Sequence, residues 1–274
     1  MDFHLNYFVE ISALCGLLVG SFLNVVIHRL PIMMEREWQE GAQDKARQHS
    51  STYNLLTPRS CCPACGHQLT AWENIPMFSY IYLGGKCSAC KVPISLRYPI
   101  VEALTAVLAA EIASKFGLGL PAFAAFFLVA GLIALTFIDL DTQLLPDSIT
   151  LPLLWSGLLL NAVNGFTDLK SAVIGAVASY FIPYIVAKIF ILITGREGMG
   201  YGDFKLMAVI GAWFGWQALP AMLVISGVSA SVVGLTMILF GKKDLLSKIP
   251  FGPYLALSAL CLLFFRPQLT MFYL

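Results

Sequence analysis

Apolar runs of membrane-spanning character fill most of this chain, and they dictate what it can fold into. They lie at roughly 7–27, 99–113, 120–138, 149–163, 171–193, 204–218, 220–240 and 252–265. In a bilayer every backbone N–H and C=O must be satisfied within the chain, so such runs fold as helices. Hydrophobic residues make up 58% of the sequence and charged ones 12%, against roughly 25% charged in a soluble domain. The expectation is an all-α polytopic membrane protein with about eight transmembrane helices. A net charge of +1 gives no bulk attraction to nucleic acid, so the expected surroundings are lipid and no nucleic-acid partner. No cleavable signal peptide is expected, because acidic Asp2 and Glu10 flank the first run and basic residues follow it.

The polar stretch after the first run carries Arg29, Arg36, Lys45, Arg47, Arg59, Lys86, Lys91 and Arg97. By the positive-inside rule it is cytoplasmic, which places the N-terminus outside. Alternation then puts 139–148, 194–203 and 241–250 inside and both termini outside. Every Lys and Arg except Lys115, Lys170, Lys188 and Arg266 falls on or beside a cytoplasmic segment. The expected division is a first transmembrane helix at 1–29, a small cytoplasmic subdomain at 30–97 and a transmembrane core at 98–274.

A subdomain this small usually needs a metal or another staple. Cys62-Pro-Ala-Cys65 and Cys87-Ser-Ala-Cys90 have the spacing of a four-cysteine zinc site, with each pair aiming two thiolates at one centre. Two disulfides are the alternative, which a reducing cytoplasmic face disfavours. Gly66 and Gly85 suit the knuckle turns, and Cys61 could stand in for Cys62. Four protein ligands leave no open position, so the zinc would be structural. Cys15 and Cys261 lie in apolar runs and read as small buried hydrophobes.

Gly198-Met-Gly-Tyr-Gly-Asp-Phe-Lys205 places a carboxylate between two long apolar runs. A carboxylate at the mouth of a membrane segment is costly and marks a functional site with a partner. Asp139 is the deepest acidic residue on the same side, since the run before it from Gly131 carries no charge. Asp141 lies about 200° further round a helix, and Asp147 after Pro146 reads as a helix cap or first-turn residue. Asp139 and Asp203 brought together could share a proton, one activating water while the other protonates a carbonyl, as in aspartic proteases. Gly200 and Gly202 would let a substrate backbone approach. Lys205 reads either as a grip on a substrate carboxylate or as an interface anchor. Asn24 and His28 share a helix face and suit a polar interhelical contact. Gly252-Pro253 reads as a packing kink that opens the last span.

Several motifs, in order, resemble those of the type IV prepilin peptidases, intramembrane GxGD aspartic proteases that are both leader peptidase and N-methyltransferase. They are Gly20-Ser-Phe-Leu-Asn-Val-Val-Ile-His-Arg-Leu-Pro31, the two Cys pairs, Glu73-Asn-Ile-Pro76, Ser79-Tyr80 and Ile94-Ser-Leu-Arg-Tyr-Pro-Ile-Val-Glu102. They continue through Ile138-Asp-Leu-Asp141, Leu145-Pro-Asp147, the Gly198–Lys205 stretch and Pro250-Phe-Gly-Pro-Tyr254. The resemblance implies a catalytic pair at Asp139 and Asp203. It implies cleavage of a short basic leader from prepilins or pseudopilins on the cytoplasmic side of the bacterial inner membrane. Methylation of the new N-terminal amine from S-adenosylmethionine would follow, and the long cysteine-bearing loop marks the bifunctional branch. No G-x-G-x-x-G follows a predicted strand, so a familiar cofactor fold is not expected. The cofactor pocket is unassigned, and Glu73, Asn74 and Arg97 are its candidates, or else loop-packing residues. Two other functions fit parts of the pattern: a GxGD protease acting on other membrane helices, and a proton- or cation-coupled transporter using the paired carboxylates.

Overall fold

The computed structural model describes residues 2–42, 53–196, 198–240 and 249–270. Lys45, Arg47 and most of the basic segment 241–250 lie outside the described residues. The described residues are helical apart from short turns and two isolated β-bridges, and the chain packs as two compact units, 1–122 and 123–274.

In the first unit α1 (Asp2–Ala42) packs along α3 (Arg97–Phe116), with a five-residue helix, α2 (Phe78–Tyr82), in the segment between them. The α1–α3 crossing is close because Gly16 and Gly20 stand one turn apart on one face. A Cβ on Gly16 would sit 2.7 Å from the Ala106 Cα, and one on Gly20 2.7 Å from the Glu102 Cα. Small residues at this spacing let membrane helices approach backbone to backbone. At the end of the same seam the Asn24 amide donates to the Tyr98 carbonyl at 3.1 Å, which is the interhelical contact its position implied. His28 is exposed.

The first apolar run ends at Ile27, yet α1 continues through Pro31 to Ala42. The cause lies in Met33-Met-Glu-Arg-Glu-Trp-Gln39, a row of good helix formers that hydropathy does not register. At 41 residues, α1 is about 60 Å long, roughly twice the hydrocarbon thickness. Its polar end grips the following segment. Arg29 donates to the carbonyls of Asn54 (3.0 Å), Leu55 (3.4 Å) and Pro58 (2.6 Å), and Arg36 stacks 4.3 Å over the Tyr53 ring. Cys15 is exposed on α1 rather than buried, because it lies outside the glycine seam.

The second unit contains α4 (Leu120–Thr142) beyond its first turn, α5 (Asp147–Ala162), α6 (Leu169–Thr194), α7 (Tyr201–Phe214), α8 (Leu219–Leu239) and α9 (Gly252–Thr270). The centre is α7, whose residues from Asp203 to Phe214 are all buried except Lys205. It packs on α5, α6 and α9. Gly211 meets Gly175 of α6 so closely that a Cβ on either would clash with the other's backbone. The Trp213 indole N–H donates to Leu153 of α5 at 2.7 Å. Asn161 closes the far end: its amide N–H groups reach the carbonyls of Ala212 and Trp213, and its oxygen accepts from Phe166 and Thr167. With 14 residues, α7 rises only about 21 Å. That is too short for a lipid-facing span, but tolerable for a helix enclosed by protein.

Among the described residues four helices are long and apolar enough to cross a membrane: Tyr7–Gln39, Leu120–Thr142, Leu169–Thr194 and Trp216–Leu239. The protein is a multi-pass membrane protein.

Candidate active site and metal centre

Asp139 ends a buried stretch of α4, Leu132 to Leu135 and Ile138, and is itself only 4% exposed. Its Oδ2 accepts the main-chain N–H of Gly252, at the start of α9, at 2.8 Å. Asp203 lies in the first turn of α7 and is 9% exposed. Its Oδ2 accepts the N–H of Gly200 at 3.1 Å. A carboxylate there satisfies one of the free N–H groups of the helix start and lies favourably in the helix dipole. The two carboxylates stand within Coulombic reach of one another. Among the described residues no other donor reaches either of them. Each therefore has one oxygen tied to backbone, and the pair offers the acid and base that hydrolysis at a carbonyl requires.

Asp147 opens α5, as its place after Pro146 implied. Gly202 packs on the Leu145 side chain, where a Cβ would come within 2.8 Å, so its smallness serves the packing of α7 on the Leu145-Pro-Asp147 segment. Lys205 pairs with Asp147, the first residue of α5, at 2.6 and 2.7 Å. Asp141 is exposed. The Lys205–Asp147 pair joins the starts of α5 and α7. With side chains 32% and 52% exposed, it should contribute about 0.2–1 kcal/mol. Lys205→Met and Asp147→Asn should each lower stability by that amount and the double variant by no more than one of them, as read in a double-mutant cycle of thermal unfolding in detergent.

In the first unit Cys62, Cys65, Cys87 and Cys90 converge, their sulfurs all within 4.8 Å of one another. The Sγ atoms of Cys62 and Cys90 are 3.8 Å apart, and those of Cys65 and Cys87 are 4.0 Å apart. Four thiolates about 2.3 Å from a tetrahedral zinc have sulfurs about 3.8 Å apart, whereas a disulfide needs about 2.05 Å. The residues fit zinc. Two matching knuckles present them. Gly66 N–H returns to the Cys62 carbonyl and Lys91 N–H to that of Cys87, with bridges Cys61–Gln68 and Lys86–Pro93 behind them. The turn needs a positive φ four residues after the first cysteine, supplied by Gly66 (71°) and Lys91 (60°). Cys61 is exposed and outside the cluster. The four thiols titrate as a coupled set: the main-chain N–H groups of Cys90 and Ala89 pull Cys87 down to about 6, while burial and the neighbouring sulfurs push Cys65 up to about 12.

Glu73 clasps the two knuckles together. It accepts from the Ser88 hydroxyl of the second, and from the Thr70 N–H (2.8 Å) and hydroxyl (2.9 Å) beside the first; these bonds hold its carboxyl down at about 2. His67 Nε2 lies 3.3 Å away. Glu73 also lines a cavity of about 380 Å³ with Trp72, Phe78, Ser79, Tyr82 and Leu83. Asn74 is exposed in the adjoining turn, and Arg97 begins α3; neither lines the cavity.

Residues 14–116 match the bacterial peptidase A24 N-terminal domain, and residues 126–235 match the type IV leader peptidase family. A prepilin leader peptidase/N-methyltransferase from Aeromonas hydrophila is 51% identical over 95% of this chain and 92% of its own length. The chain belongs to the type IV leader peptidase family. Relatives with the same name from Stutzerimonas stutzeri and Pseudomonas aeruginosa are 49% and 48% identical, each over 97% of this chain and 94% and 93% of their own lengths. No solved structure matches.

Two further residues hold their surroundings in place, one in each unit of this leader peptidase. Glu102, one turn into α3, is buried and accepts the Met77 N–H at 2.8 Å, which seats the segment leading into α2. Glu102 and Glu111 are the two charges within the run 99–113, and a charge one turn inside such a run was the available signal. Gly252 contacts Asp139 from 113 residues away in sequence, and its place between Phe251 and Pro253 read only as a kink.

Proposed function

We propose that this enzyme cleaves the leader from type IV prepilins or pseudopilins at the cytoplasmic face of the bacterial inner membrane, then methylates the exposed N-terminal amine. The carrying observation is the pair of buried carboxylates, Asp139 and Asp203, in a chain of this family. One carboxylate, ionised, takes a proton from water; the other, protonated, donates to the scissile carbonyl oxygen as the tetrahedral carbon forms. On collapse the first carboxylate passes the proton it took from water to the leaving amine, while the second takes a hydroxyl proton back from the tetrahedral carbon and so restores the pair. About eight spans, periplasmic termini and a cytoplasmic 30–97 segment follow from the distribution of Lys and Arg. They put both carboxylates and the cysteine cluster on the side where a basic leader resides.

Zinc held by Cys62, Cys65, Cys87 and Cys90 would be structural, since four thiolates close its coordination. When bound, S-adenosylmethionine supplies the electrophilic methyl group. The cavity beside Glu73 suits a sulfonium cation. Trp72, Phe78 and Tyr82 present aromatic side chains, Glu73 is firmly ionised, and cation–aromatic contact contributes about 0.5–2 kcal/mol. Trp72→Ala should therefore weaken donor binding about tenfold, read as KM for the methyl donor, with prepilin cleavage unchanged.

The test is purified enzyme with a prepilin in lipid, with and without S-adenosylmethionine. The expected products are free leader and a mature chain heavier by one methyl at its N-terminus. No cleavage of any prepilin, with cleavage of unrelated helices or pH-gradient-driven uptake instead, would overturn the reading.

A further inference from the structure

We propose that Gly252 is a positioning residue for the peptidase reaction, its main-chain N–H fixing the Asp139 carboxylate through Oδ2 and leaving Oδ1 to the reacting atoms. The inference rests on Asp139 being half of the dyad.

The first N–H groups of any helix lack partners within it. In α9 the N–H groups of Tyr254 and Leu255 turn back to the Phe251 carbonyl at 3.1 and 3.2 Å, and Pro253 has none. Of these first-turn positions, Gly252 alone sends its N–H outside the helix, and that N–H goes to Asp139 at 2.8 Å in a buried contact. Pro253 costs nothing at a first-turn position and fixes the turn's geometry. The backbone gets this close only because residue 252 has no side chain. A Cβ there would meet three atoms of Asp139: Oδ2 at 2.7 Å, Cγ at 3.1 Å and Cβ at 3.2 Å. The two carboxylates are thereby treated alike. Asp203 is held through Oδ2 by the N-terminus of its own helix, and Asp139 through Oδ2 by the N-terminus of another. Both carboxylates are preorganised before substrate arrives, and misplacement of a reacting group by about 1 Å can cost roughly 100-fold in rate.

Gly252→Ala keeps the N–H and pushes the carboxylate aside. Gly227→Ala in α8 is its control, because nothing lies within 4 Å of a Cβ there. The proposal expects Gly252→Ala to lower kcat for prepilin cleavage roughly 100-fold. KM for prepilin, methyl transfer to an already cleaved pilin and melting temperature in detergent should stay near wild type. Gly227→Ala should change none of these. A second measurement needs no variant at Gly252. In enzyme labelled with 15N-glycine, the Gly252 amide resonance should move on Asp139→Asn and stay in place on Asp141→Asn. Unchanged kcat in Gly252→Ala, a loss of cleavage explained by KM or by lowered stability, or an amide resonance insensitive to Asp139→Asn each overturns the proposal. An active Asp139→Asn enzyme would instead overturn the dyad on which it rests.

Discussion

Asp139→Asn and Asp203→Asn should each lower prepilin cleavage by about 10⁴-fold, as read from the initial rate of leader release in lipid. The size follows from the arrangement. General acid and general base contributions run to roughly 10²–10⁴-fold each, and here each carboxylate must serve as one in the first half of the reaction and as the other in the second. Losing either member leaves the remaining one without its complement, so the double variant should be hardly worse than either single one. Asparagine preserves the shape and an acceptor oxygen, so the N–H groups of Gly200 and Gly252 keep their partners and the fold should persist. Methyl transfer to an already cleaved pilin should continue in both variants. Asp141→Asn is the comparison. Asp141 is exposed and lies about 200° round the helix from Asp139, so cleavage should stay near wild type. Normal processing by Asp139→Asn or Asp203→Asn would remove the peptidase assignment.

The helices were legible because membrane helices must be apolar over most of their length. The eight runs correspond to α1 and α3–α9, with ends shifted by a few residues except on α1. There the chain passes from lipid to water without leaving the helix, so the polar Glu35–Gln39 turn conceals a continuation that propensity favours. The central place of α7 was not legible. Its composition matches that of its lipid-facing neighbours, because burial by protein and burial by lipid select the same side chains. Only Gly211, pressed against Gly175, distinguishes it.

The site divides along the same line. The cysteines could be read because a metal imposes local spacing within each knuckle. Lys91 could not be matched to Gly66, since a lysine at positive φ gives no sign of itself in sequence. Asp139 and Asp203 could be selected by depth, whereas their approach depends on how α4, α7 and α9 pack. The Lys205–Asp147 pair spans 58 positions. Periodicity carries no information at that separation, so the sequence offered Lys205 as a substrate grip or an interface anchor and gave no sign of its pairing with Asp147.

Stripping the metal should unfold the cysteine segment while leaving the second unit intact. Cys87 is the one buried residue among the described residues from 53 to 96, so no hydrophobic core exists to hold the knuckles. The small segment has two isolated bridges, one short turn of 3₁₀ helix and the five-residue α2. A metal held by the four thiolates would replace a core, and such binding is worth about 10–16 kcal/mol in zinc-finger peptides. Purified enzyme should carry about one zinc, the content of a single tetrahedral site. Cys62→Ser or Cys90→Ser should lose it, as should prolonged chelation or acid, because the ligands must be thiolates. Hydrogen exchange should then become fast across 61–93, where Glu73 can no longer clasp two ordered knuckles. Protection in α5 and α7 should remain, since their bonds through Asn161 and Trp213 lie wholly in the other unit. Methylation should fall with the metal, because Trp72, Glu73 and Phe78 belong to the segment that unfolds. An enzyme with no bound metal and a protected 61–93 segment would show that the four sulfurs converge for another reason.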